Sequence, residues 1–245
     1  MELLEAVEVV KKLGRGSSGA TIGPISLRLE PGTVTALVGR SGSGKSTVLN
    51  SVAGLMRPSA GRVIFEGDDI ARASDQRLAR LRREAFGFVF QDYTLLDPLT
   101  GRENIELPAR MSHRRLDPEA MEPLLQRLGL EGRLAVTTDR LSGGQRQRVA
   151  IARAVANGAR VLFADEPTGA LDPVTRDEVM DLMLGTVADP SSSVQAMLMA
   201  THDVELAGRA DRVLVLADGL VVDSLDRPGP REVMAALRQV RESAA

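Results

Sequence analysis

Thr33-Val-Thr-Ala-Leu-Val-Gly39-Arg40-Ser41-Gly42-Ser43-Gly44-Lys45-Ser46-Thr47 is the stretch on which the fold turns. A β-rich run, Thr33 to Val38, enters a glycine-rich loop, and the loop enters a helical stretch, Ser46 to Met56. Gly39 to Ser46 fits G-x-x-x-x-G-K-[ST], with the strand before it and the helix after it that this pattern requires. Glycines let backbone N–H groups turn inward around phosphates with no Cβ in the way. The helix start adds partial positive charge. Lys45 offers a mobile cation for the outer phosphates, and the Ser46 hydroxyl suits Mg²⁺. Gly39 through Thr47 are therefore the candidate nucleotide-binding residues. By itself the loop does not separate ATPases from GTPases or small-molecule kinases.

Upstream of it, Leu3, Leu4, Val7, Val9 and Val10 predict an opening strand, and Ile25 to Leu29 a second before the Pro31-Gly32 turn. Downstream, Pro58 to Gly61 end the helix and Arg62 to Glu66 read as a strand. Ser74 or Asp75 caps a short basic helix to Arg83, and Phe86 to Phe90 form a strand. From about 92 to 158 strand patterns stop, and helical segments are separated by Pro98, Pro108, Pro118 and Gly129. Alternation resumes with a strand at Val161 to Ala164, a helix near Val174 to Val187 and a strand at Ala196 to Ala200. Asp172 is placed as N-cap of that helix, with Pro173 at its first position. Val213 to Leu216 and Leu220 to Val222 flank Asp218-Gly219, a hairpin signal, and a last helix starts near Arg231. Strands alternating with helices predict an α/β fold with a mostly parallel sheet covered on both faces. The expected organisation is one domain over 1–245, with a core of about 1–91 and 159–245 and an inserted helical lobe of about 92–158.

Composition narrows the function classes. A chain of 245 residues with 43% hydrophobic and 26% charged side chains can bury a core and stay soluble. Its net charge of -2 gives no general pull toward nucleic acid or acidic lipid, so no nucleic-acid partner is expected. There is no cysteine, hence no disulfide framework and no thiolate metal site. The start, Met1 to Lys12, lacks the basic-then-apolar order of a signal peptide. No run approaches the roughly 18 to 20 apolar residues that cross a bilayer. A cytoplasmic protein is expected, anchored by something else if it acts at a membrane.

Arg160-Val-Leu-Phe-Ala-Asp165-Glu166 is an apolar run ending in two carboxylates. A buried strand beside the phosphate loop would bring Asp165 to the magnesium shell, while Glu166, one residue on, orients or deprotonates an attacking water. Leu141-Ser142-Gly143-Gly144-Gln145 opens an amphipathic helix, whose free N–H groups make a second anion site.

That last segment, with the Arg-Gln-Arg-Val-Ala-Ile-Ala-Arg-Ala after it, resembles the ABC signature motif. The resemblance extends through Asp165-Glu-Pro-Thr-Gly-Ala-Leu-Asp172, the glutamine of Phe90-Gln91 and Thr201-His202-Asp203, and covers most of the chain. It implies a P-loop NTPase core with an N-terminal antiparallel β subdomain, and ATP and Mg²⁺ as ligands. It implies that two subunits, copies or homologues, pair head to tail with each nucleotide between one phosphate loop and the other subunit's Ser142 to Gln145. By the same resemblance Gln91 reaches the magnesium and the attacking water, so Ser46, Gln91 and Asp165 are the expected metal residues. His202 contacts the γ-phosphate, Glu166 is the base, and Ala170-Leu171-Asp172 couples the two sites. His113 reads as surface.

The chain departs from the family where an aromatic ring usually stacks on adenine: nothing aromatic precedes Phe65. An aliphatic contact near Leu13, or Lys12 or Arg15 lying over the base, would take its place. Phe88 to Thr100, with Glu103-Asn104-Ile105, looks like the subgroup serving macrolide-efflux, lipoprotein-release and bacitracin-resistance systems. That likeness implies a separate transmembrane permease, with the ATPase peripheral on the inner face of the cell membrane, in export or force transmission. Chromosome-organising relatives need a long coiled coil between Gln91 and Leu141, for which there is no room. Translation-factor relatives carry two such domains on a chain. A cell-division member of the same broad branch, whose permease would carry no substrate, is harder to exclude, because the sequence does not tell force transmission from transport.

Overall fold

The computed structural model describes residues 2–14 and 19–243. Its chain falls into two compact units, residues 1–78 with 196–245, and residues 79–195.

The first unit holds two sheets. In one, β1 (Leu4–Leu13) lies between β2 (Ala20–Leu29) and β4 (Ala60–Phe65), both antiparallel to it, and β5 (Asp68–Asp69) closes the edge. This matches the antiparallel subdomain expected at the N-terminus. In the other, β3 (Thr33–Gly39) runs parallel to β8 (Ala196–Ala200) on one side and β9 (Arg212–Ala217) on the other. The strand β10 (Leu220–Asp226) returns antiparallel to β9 through Asp218 and Gly219, both with positive φ. A two-residue turn with both φ values positive matches strand twist, which is why that dipeptide was legible. Val34, Ala36, Leu37 and Val38 are all at most 4% exposed, so β3 is buried on both faces as a central parallel strand must be. Leu37→Ala there would cost about 2 to 5 kcal/mol.

The helix α1 (Lys45–Val52) follows β3. It stops short of Met56 because Gly54 takes a left-handed φ of 65° and the N–H groups of Leu55 and Met56 both turn back to Asn50 O. The helix α2 (Asp75–Glu84) leaves this unit, and α7 (Val204–Ala207) and α8 (Pro230–Ser243) complete it.

In the second unit β6 (Phe86–Phe90) pairs in parallel with β7 (Val161–Asp165). Phe163 meets Phe86 edge-on at 5.3 Å and stacks on Phe88 at 5.6 Å, a compact aromatic centre. Between these strands come α3 (Gly101–Met111), α4 (Pro118–Arg127), the 3₁₀ turn η1 (Thr138–Arg140) and α5 (Gly143–Ala156), and α6 (Pro173–Ala188) follows β7. The helix α5 approaches β6 closely: a Cβ on Gly87 would sit 3.0 Å from those of Ala154 and Ala159.

Pro108 does not separate two helices; it lies inside α3. A proline there removes one backbone bond and crowds a carbonyl, at a cost of about 3 kcal/mol. The surrounding side chains hold the helix together. Thr100 and Glu103 form a capping box at its start, and Asn157 Nδ2 donates to Ile105 O at 3.0 Å.

Candidate functional site

In the first unit the phosphate loop leaves the carboxyl end of β3. Lys45 is 8% exposed, and its Nζ donates to Gly39 O at 2.9 Å and Arg40 O at 3.2 Å. The ammonium is thus folded under its own loop, where a phosphate would compete with those carbonyls. Gly44 caps α1 at φ 103°, with no side-chain cap on the helix start. A Cβ at Gly44 would fall 2.8 Å from Ile22 Cδ1, so conformation and space both demand glycine. Ser46 is exposed at the first turn and Thr47 is half-buried, while Arg40, Ser41 and Gly42 line the outer rim. Ser43 is buried, its N–H bonded to Arg40 O, and its own carbonyl accepts from Gly219 N.

His202 belongs to the same edge. Leu37 of β3 pairs with Ala200 of β8, and Thr201 N donates to Leu37 O at 3.0 Å. Asp203 N donates to Thr201 Oγ1, and the Asp203 carboxylate caps α7. His202 is therefore exposed between two pinned neighbours, just past the end of the strand beside the one that delivers the phosphate loop.

The second unit repeats this logic. Phe90 pairs with Asp165, so Gln91 and Glu166 leave adjacent parallel strands side by side. Asp165 and Glu166 are half-buried, and Glu166 has a φ of 47°. A left-handed non-glycine residue costs about 1 to 3 kcal/mol and persists only where its surroundings impose it. Here Gly169 N returns to Glu166 O, and Leu171 N to Thr168 O, in two successive turns. The Gln91 amide packs on the second turn: a Cβ on Gly169 would lie 3.2 Å from Gln91 Cδ and Nε2. Beneath, the fully buried Gln147 of α5 donates to Pro167 O.

The helix α5 opens with a capping box. Ser142 Oγ accepts from Gln145 N at 3.3 Å, and Ser142 N donates to Gln145 Oε1 at 3.0 Å. Gln145 is thereby committed to the cap, and among the described residues none accepts from Gly143 N or Gly144 N. Those two amides carry the partial positive charge of the helix start. Gly144 is hemmed by Thr175 Cγ2, 2.5 Å from where its Cβ would be. On α6, Asp172 caps Val174 N and Thr175 N with Pro173 at the first position, as expected from the sequence.

Residues to which the motifs assign no individual role complete this unit. Arg153 donates to Thr94 O at 2.7 Å and Tyr93 O at 3.0 Å, and burial draws its pKa below the ordinary guanidinium value. Asn104, fully buried, accepts from Leu96 N and donates to the carbonyls of Leu96, Leu99 and Thr100. These bonds fix the loop after Gln91, and no periodicity announces them.

Of the groups expected near a base, Lys12 is exposed and Leu13 half-buried at the end of β1; Arg15 lies outside the described residues. His113 is exposed, as read. Among the described residues no group of three His, Cys, Asp or Glu is placed to hold a metal, and no helix is long and apolar enough to cross a membrane.

This arrangement has parallels. The chain is 44% identical over 225 residues to the macrolide export ATP-binding/permease protein MacB of Marinobacter nauticus, which is 90% of this chain and 34% of that one. It is 47% identical over 211 residues to the pyoverdine export ATP-binding/permease protein PvdT of Pseudomonas putida, 83% of this chain and 31% of that one. The chain thus spans about a third of the length of these relatives. Its fold is similar to the dimeric ATP-binding cassette MJ0796 in a post-hydrolysis state bound to ADP and Pi. The TM-score is 0.81 at 33% identity, over 92% of this chain and 99% of that one. It is similar also to CbiO1 of Clostridium perfringens, part of an ABC transporter complex, with a TM-score of 0.79 at 29% identity over 98% and 94% of the two chains. A family model described as ABC transporter matches residues 22–169, from just before the phosphate loop to the turn beyond Glu166. Matched over more than half its length, the chain belongs to the ABC transporter family.

Proposed function

We propose that the chain is the ATP-hydrolysing cassette of an ABC transporter, acting as a dimer coupled to a membrane permease, in export or mechanical force transmission. The observation that carries this reading is the presence of two phosphate-seeking helix starts on one chain. One is the uncapped start of α1 at Gly44, and the other is the Gly143–Gly144 end of α5. One nucleotide needs a single cradle per chain, and the surplus is resolved if each cradle of the second kind faces the nucleotide of a neighbour. The similar cassette MJ0796 is dimeric, which supports the pairing. The partner subunit is a second copy or a homologous ATPase, and the complex sits peripherally on the cytoplasmic side of the membrane.

In this reading Gly39 to Thr47 bind the phosphates, and the partner's signature amides replace water around the γ-phosphate with preorganised donors. Glu166 aligns the attacking water, and His202 stabilises the transferring phosphoryl group. The proposed donor set of Ser46 hydroxyl, Asp165 carboxylate and Gln91 amide oxygen is all hard oxygen, and among the described residues no group of three His, Cys, Asp or Glu forms a cage of its own. That fits Mg²⁺, which keeps waters and shares substrate phosphates. Bound there, Mg²⁺ would neutralise charge on the phosphates. The names of the relatives point to export of macrolides and pyoverdine by those proteins; the cargo here is chosen by the permease.

The test is Glu166→Gln. Turnover is lost, ATP binding is kept, and MgATP converts the variant to a dimer by light scattering. Normal turnover would remove Glu166 from the mechanism. A variant that stays monomeric in saturating MgATP, with and without the permease, would remove the shared site.

A further inference from the structure

Tyr93 and Thr94, two residues past Gln91, are consecutive non-glycine residues in the left-handed region, at φ 61° and 47°. For a β-branched threonine this is a real outlier. The segment is held in place from α5. The Arg153 guanidinium spans it, donating to Tyr93 O at 3.0 Å, to Thr94 O at 2.7 Å and to Thr94 Oγ1 at 3.2 Å. A planar fork can grip neighbouring acceptors at once, which a lysine ammonium cannot do in fixed geometry.

Gripped in this way, the loop sends the Tyr93 side chain back along α5. Its hydroxyl lies 3.1 Å from the point that a Cβ on Gly143 would occupy, and Leu171 Cδ2 lies 3.7 Å from the same point. Gly143, one of the two residues with an uncommitted amide, therefore sits in a slot with Tyr93 as one side. Arg153 is ten residues further along the same helix, about 15 Å away. The loop after Gln91 is thus fastened to α5 at two points, by its main chain near one end and by its side chain at the other.

We propose that Tyr93 is a positioning residue for the Ser142–Gln145 anion site, held in register by Arg153, so that the loop after Gln91 and the start of α5 move as one piece. The proposal rests on the reading that this site takes the nucleotide of a second subunit. Displacement of the loop would then reach the neighbour's ATP directly through the phenol ring.

The experiment uses the full chain with Glu166→Gln as parent and adds Tyr93→Ala, Tyr93→Phe or Arg153→Lys. Dimerisation is followed by light scattering against MgATP, and nucleotide affinity of the monomer by a fluorescent ATP analogue at low protein concentration. Tyr93→Ala and Arg153→Lys should each raise the ATP needed for half-maximal dimer about tenfold, since small misplacements of aligned groups are costly. Tyr93→Phe keeps the ring, loses the contacting oxygen and should give about a threefold rise. Monomer affinity, set by the phosphate loop, should not change in any of them. Dimerisation of Tyr93→Ala at the parent's ATP concentration overturns the proposal. So does a matching fall in monomer affinity, which would mark a general loss of structure. If the parent itself never dimerises, the shared-site reading fails and takes this proposal with it; if the parent dimerises and Tyr93→Ala behaves the same, only the role of Tyr93 falls.

Discussion

Six aromatic residues, five Phe and one Tyr, serve this chain, and their places bear on which nucleotide it prefers. Phe65 is buried on β4 opposite Leu4, at the far end of β1 from Leu13. Phe90, Phe88 and Phe163 stack in turn, Phe86 meets Phe163 edge-on, and Tyr93 stands against Gly143. In the proposed function, a base at the Lys12–Leu13 end of β1 would meet aliphatic or cationic groups. Aromatic stacking is worth about 0.5 to 1.5 kcal/mol, so its loss should bring GTP within about tenfold of ATP as a competitor for turnover. A steep ATP preference in a GTP competition assay would contradict this. At this scale the sequence was readable wherever chemistry demands one residue type, as at Lys45, Ser142 and Glu166. Tyr93, Arg153 and Gln147 lie inside the motif stretches, but nothing in the sequence assigned their contacts, which join residues 20 to 60 positions apart. Such contacts exist only once the helices have packed.

Element ends follow local rules, and those at Asp172 and Ser142 were legible for that reason. Asp172, Asp203, Thr100 and Ser142 each cap the helix they precede. Phe86–Phe90 and Ala196–Ala200 appear as strands with the bounds read from alternation and flanking breakers. Pro108 misled because a local rule lost to packing around α3. The far end of α6 carries a testable consequence. Asp189 accepts from the Ser191 hydroxyl and N–H and pairs with Arg127, which together hold its carboxyl at about 2 rather than 3.8. A carboxylate depressed in the folded state stabilises above its unfolded value near ~3.9, and that contribution is lost as pH falls through the folded value. The window is therefore about pH 4 down to about 2, and the effect is small because Asp189 is only half-buried and its partner Arg127 is exposed, so solvent screens the pair. Melting temperature should fall less steeply from about pH 5 to about pH 3 in Asp189→Asn than in the parent. Equal slopes would show that the cluster does not contribute.

For the molecule as a whole, alternation of strands and helices was enough to predict the α/β class, because each parallel strand needs a covering helix before the next. Binding should stabilise the folded chain by mass action. MgATP at about 100 times its dissociation constant adds about 2.7 kcal/mol, which is about 5 to 10 °C in melting temperature for a chain of this size. Lys45→Ala should abolish most of that shift in a thermal melt; an undiminished shift would place the nucleotide elsewhere. The pairing of β3 also has a consequence for how the protein is made. Leu37 finds its partners at Ala200 and Leu214, far down the chain. On the ribosome the strand that bears the phosphate loop waits without neighbours while residues 79–195 are synthesised and can already collapse on themselves. A nascent chain therefore gains its full grip on nucleotide only after the segment up to Leu214 has been made, so nucleotide binding would report that this early strand has met its distant partners.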